Sequence, residues 1–163
     1  MTHISATPAG SVAAATRPPA TMLVIWRRLR LRMRRDALAT VNTPESAVQL
    51  ADSLLARTAV AHDHTEMWCS VAVSPLAALL AAGSAAGNGR GLSWVRATVA
   101  ALQAPAPSES AWNAAEAAVG GLSPQRFRAA IPQLRQFDPR QRRSLALVMG
   151  EALHRLPSPH YAV

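Results

Sequence analysis

No lysine occurs anywhere in these 163 residues; all seventeen basic residues are arginine. A phosphate-loop nucleotidase needs the lysine of GxxxxGK[ST] to reach the β- and γ-phosphates, so that motor chemistry is excluded. Cysteine is almost as scarce. Cys69 stands alone, has no partner for an internal disulfide, and points to a reducing compartment, by default the cytoplasm. Aromatic residues number only seven although half of the chain is apolar, and alanine makes up most of the difference. Such a core is built by close approach of helices rather than by bulky side chains, which argues for an all-α domain. No GxSxG elbow is present, every serine reads as a cap or a turn, and neither an enzyme nor a cofactor is expected. The longest apolar run near the start, MLVIW at 22–26, precedes the arginines instead of following them and is too short to cross a bilayer.

What is there in abundance is positive charge, and it is concentrated. Residues 1–35 hold seven arginines and no acid, whereas residues 36–163 hold ten arginines against nine acids. The sequence therefore divides into a disordered N-terminal region over 1–40, with a basic segment at 22–35, a helical domain over 41–157, and a short tail over 158–163. In the basic segment, MLVIWRRLRLRMRR, Leu23, Trp26, Leu29 and Met33 fall at helical spacing, while the residues from Arg28 to Arg34 also alternate as a strand would. Trp26 with Arg27, Arg28, Arg30, Arg32, Arg34 and Arg35 forms a candidate polyanion site. Its targets would be nucleic-acid phosphates or an anionic membrane surface, the latter holding the protein at the inner face of the membrane. The plainer reading is a solvated arm whose charge keeps the protein soluble.

The rest of the chain is punctuated by helix signals. Thr43, Pro44 and Glu45 supply a cap, a proline at the first helical position and an acid against the macrodipole. Val48, Ala51, Leu54, Leu55 and Thr58 then mark an inner face. Thr65 is placed to cap the next helix, whose stripe is Met67, Trp68, Val71, Ala72, Leu76, Leu79 and Leu80, with a kink expected near Val71 because of Pro75. Gly83, Gly87, Gly89 and Gly91 reverse the chain, and Leu92, Val95, Val99 and Leu102 face the next helix inward. After the proline-rich linker at 104–108, Ser110 is expected to cap a short helix anchored by Trp112. A further helix follows Ser123 and Pro124 and should break at Pro132, and a last one starts at Asp138 and Pro139. The predicted architecture is all-α, a compact bundle of about six helices behind a disordered, Arg-rich arm.

The stretch from Thr43 to Leu102 resembles the all-α domain of the type IV secretion and conjugation coupling proteins. The matching residues are Pro44, Glu45, Ala47, Ala51, Leu54 and Leu55, then Asp63 and Trp68, then Gly87, Leu92, Trp94 and Val95. The last helix, opening with Arg140, Arg142 and Arg143 and turning apolar at Leu145, continues the likeness. The resemblance implies a module that recognises DNA-processing complexes or secreted substrates, so components of a conjugation or secretion system are the expected partners. The nucleotide-binding domain and the membrane helices of those hexameric motors have no counterpart in these residues. A stand-alone adaptor and a remnant of a broken motor gene would both leave this pattern.

The remaining candidates are weaker. His62, Asp63, His64, Glu66 and Cys69 crowd one helix start, and His62, Glu66 and Cys69 fall at spacings of four and three, but a tetrahedral metal site needs a further ligand pair that the sequence does not offer. Trp68, Trp94 and Trp112 lie within apolar faces and read as core anchors, with Asp63, Trp68 and Trp94 as structural positions of the resemblance. Arg135, Arg140, Arg142 and Arg143 make a possible second basic patch, for which an ordinary exposed first turn is the competing account.

Overall fold

The first helix is built by its own cap. Thr43 Oγ1 accepts a hydrogen bond from the Ser46 amide at 3.2 Å, and Ser46 Oγ accepts one from the Thr43 amide at 3.1 Å. This reciprocal pair satisfies two backbone donors at the start of α1 (Pro44–Ala59). Ala47, Ala51, Leu54, Leu55 and Thr58 form its buried face, and the Thr58 hydroxyl donates back to the Leu54 carbonyl. A 3₁₀ turn, Ala37–Thr40, comes before it and tucks in Leu38. The structure, a computed structural model, describes residues 37–59 and 66–156.

Five further helices complete the bundle: α2 (Glu66–Gly83), α3 (Gly91–Gln103), α4 (Glu109–Gly120), α5 (Gln125–Gln136) and α6 (Pro139–His154). The organising element is α2, which touches all five of the others. Ten of its eighteen residues are buried, and from Pro75 to Leu80 burial is continuous around the helix rather than confined to a stripe. A helix that is apolar all round belongs at the centre. By length and composition α2 is also the one described helix long enough to cross a bilayer, but its apolar surface is spent on the bundle. The stripe read from the sequence needs correction at its beginning. Met67 and Val71, assigned inward, are 63% and 40% exposed, because the first two turns of α2 bury only the side that carries Cys69 and Ala72, and Met67 and Val71 lie on the other. Pro75 is buried inside the helix, which continues through it.

The reversal between α2 and α3 is backbone-limited. The Asn88 amide bonds the Ala82 carbonyl at 2.7 Å and the Gly87 amide bonds Ser84, while Gly89 and Gly91 have φ of +67° and +73°. A Cβ at Gly87 would stand 2.3 Å from the Ala82 oxygen and 2.5 Å from that of Ala81. Backbone oxygens cannot step aside, so Gly87→Ala should destabilise the protein by about 1–3 kcal/mol in chemical denaturation. Gly120→Ala, where nothing lies within 4 Å, is the control and should be neutral or slightly stabilising. Equal stability of the two variants would show that the loop relaxes freely.

Two side chains of α3 stitch it to α6. Arg96 donates to the carbonyls of Leu153 at 2.9 Å and Leu156 at 2.6 Å, satisfying the carbonyls that the end of α6 leaves over. Gln103 donates to the Ala146 carbonyl at 2.8 Å and passes over Gly150, where a Cβ would collide with its amide nitrogen at 1.9 Å. The Gln103 amide can lie across α6 at this point because position 150 has no side chain.

Two other sequence expectations are corrected. Ser108, not Ser110, caps α4: its hydroxyl accepts from the Ala111 amide, two residues earlier than expected. Pro132 does not break α5, which runs through to Gln136. Phe127, Ala130, Ile131 and Leu134 form the buried face of that helix, so Pro132 lies on the outward side, where the carbonyl it leaves without a donor can turn to water. Asp138 starts α6 as expected, its Oδ1 accepting from Arg140 and Gln141.

Candidate interaction surfaces

The basic-segment residues Trp26, Arg27, Arg28, Arg30, Arg32, Arg34 and Arg35 lie outside the described residues, as do His62, Asp63 and His64. The other positions of the resemblance are placed. Leu92 and Val95 are buried, whereas Trp68 and Trp94 are only half-buried, packed against the core from its edge. Trp112 alone of these three tryptophans is a full core anchor, at 2% exposure. Trp94 lies beneath the Arg90 guanidinium, 5.9 Å from its ring centre. Of the metal candidates, Glu66 is exposed and Cys69 is buried, so these two do not share a surface. Among the described residues no three His, Cys, Asp or Glu side chains come together.

The expected second basic patch is divided by its partners. Arg135 of α5 pairs with Glu109 and, at 3.2 Å, with Glu116, both on α4. Its hydrogen bonds to those two carboxylates raise its pKa above the ordinary arginine value, so it stays charged throughout the accessible range. Arg142 donates to the Arg135 carbonyl at 3.2 Å and lies over the Trp112 ring, 5.7 Å from its centre. Arg135 and Arg142 thus hold α4, α5 and α6 together, and Arg140 and Arg143 remain on the exposed side of α6.

Sequence reasoning missed an uncharged groove of about 370 Å³ where α2, α5 and the start of α6 meet. Val71 and Phe137 stand at it, with Pro75, Leu134 and Leu145 beneath. Phe137 precedes the Asp138 cap, a position whose apolar residue ordinarily staples to the fourth residue of the helix. Here that residue is Arg142, which is engaged with Trp112, so Phe137 stays 37% exposed. The absent staple partner was legible in the sequence; the groove beside it was not.

Fold and surfaces together define an all-α, six-helix domain that closes on an apolar interior. No protein-family model, curated protein or solved structure matches the chain.

Proposed function

We propose that the protein is a non-enzymatic recognition module, similar to the all-α domain of the coupling proteins, that binds a DNA-processing complex or a partner protein on the cytoplasmic side of a membrane. The observation that carries this reading is where the polar groups stand. Thr58 and Ser84 are the only buried polar residues among those described; the Thr58 hydroxyl donates to the Leu54 carbonyl of its own helix, and that of Ser84, in the turn after α2, donates to the Ala81 carbonyl. Active sites collect titratable groups with displaced pKa values in clefts. Arg135, whose pKa is raised by its hydrogen bonds to Glu109 and Glu116, is instead a strut between helices.

Affinity capture from the native host tests the reading. The full chain should retain DNA-processing proteins after nuclease digestion, and a peptide of residues 1–36 should not. Equal retention by the peptide would assign recognition to the arm and remove the helical domain from it.

A second reading is favoured by one specific feature, the six arginines among the nine residues from Arg27 to Arg35. In it the domain presents a polyanion-binding arm to nucleic acid or to anionic lipid.

A further inference from the structure

The outward side of α5 carries cations with no acid to answer them. Between Glu116 and Asp138 the sequence contains no acidic residue and three arginines. One of these, Arg135, is already neutralised by Glu109 and Glu116. Arg126 and Arg128 are exposed and make no ion pair among the described residues. They are two positions apart, so they flank the helix on opposite sides of its exposed face. Gln125 and Gln136, both exposed, lie along the middle of that face, whereas Gln133 lies on the Arg126 side, at the groove between α2, α5 and α6. The Arg126 guanidinium is braced over the Phe127 ring, 5.6 Å from its centre, which lowers the entropy lost when it meets a ligand.

We infer that α5 is a nucleic-acid-facing helix that seats in the major groove of a duplex, independently of the N-terminal arm. This deepens the recognition reading above by naming duplex DNA as a direct ligand of the folded domain. Twelve residues make a helix about 18 Å long, and a groove about 12 Å wide admits it. The arrangement of side chains matches that target. Flanking arginines reach the phosphates on either side, and central glutamines present the paired donor and acceptor that adenine edges accept. Gln125, Arg126 and Arg128 belong to the first turn, the end of a groove-bound helix that approaches the bases in two-helix DNA readers. Here α4, packed against α5 and joined to it by a short turn, takes the place of the supporting helix. An anionic membrane fits less well, because the exposed face of α5 carries no large apolar side chain to bury.

The test uses the full chain in an arm-neutral background, with all seven arginines of residues 1–35 changed to Gln, and a mixed-sequence DNA duplex of about 20 base pairs as probe. The arm-neutral chain should still bind, and adding Arg126→Gln and Arg128→Gln should flatten its plot of log affinity against log salt by roughly 2 units. Both arginines are exposed, so the helical circular dichroism should be unchanged. In the same background Gln125→Ala should keep the salt slope but reduce discrimination between A·T-rich and G·C-rich duplexes by at least about fivefold. An arm-neutral chain that no longer binds the duplex overturns the inference, as does one whose slope ignores Arg126 and Arg128. So does unaltered sequence discrimination in the glutamine variant. Retention on polyglutamate but not on DNA would overturn it too and reassign the face to an acidic protein. Because the probe is purified DNA, these outcomes are independent of whether host partners are captured.

Discussion

Replacing Trp112 with Ala should lower the stability of the folded protein by about 3–5 kcal/mol, the range for deleting a fully buried large aromatic. Trp112 is 2% exposed in the first turn of α4 and carries the Arg142 guanidinium on its ring, so truncation both opens a cavity and takes away the surface on which Arg142 rests. Arg142 also bonds the last turn of α5, and the damage therefore spreads to the junction of α4, α5 and α6. Trp68→Ala should cost clearly less, about 1–2 kcal/mol, because that ring is half-buried and water already covers part of it. Urea unfolding of the two variants decides the matter. A greater loss for Trp68 than for Trp112 would place the principal aromatic anchor on α2 and contradict the packing described here.

Changing Arg28, Arg30, Arg32 and Arg34 to Gln should produce the largest change in binding. Each phosphate that a cation neutralises releases counterion, so four fewer contacts should flatten the slope of log affinity against log salt by roughly 3 to 4 units on duplex DNA. The same change should remove retention on vesicles containing anionic lipid, since each basic residue near such a surface contributes about 1 kcal/mol. The two targets are separated by Trp26. With Trp68 and Trp94 replaced by Phe, vesicles with brominated acyl chains should quench Trp26 if it inserts, while Trp112 is shielded by its burial. Unchanged binding to both DNA and vesicles after the four substitutions would take the arm out of the function and leave the helical domain alone.

The helix boundaries were readable because they are decided by chemistry between near neighbours. Thr43 with Pro44 and Asp138 with Pro139 cap and start their helices by bonds that reach no further than three residues. Gly87, Gly89 and Gly91 likewise mark a reversal that the chain makes on its own backbone. The cap of α4 was misread by two residues because Ser108 and Ser110 are both competent donors of an oxygen, and their hydroxyls lie 2.9 Å apart. Pro132 was misread for a different reason. Its cost depends on whether the carbonyl it leaves without a donor faces water or protein, and that is a property of the bundle, not of α5.

Composition and local pattern by themselves determined that the described residues are all-α, that they form six helices, and that the chain holds no phosphate-loop lysine. These follow from a missing lysine, from caps, and from apolar spacing, all of which act within a turn or two of helix. Only the tertiary structure decided which apolar residues are core and which are surface. Met67 and Val71 share the spacing of Leu76 and Leu80, yet they stand exposed because at that end of α2 only the side carrying Cys69 and Ala72 is covered. It also decided which arginines remain open to a ligand. Arg135 and Arg128 are alike in sequence, and what separates them is that Glu109 and Glu116 on another helix reach only the first. Electrostatic pairing falls off over a few ångströms and ignores distance along the chain, so the folded arrangement alone assigns it.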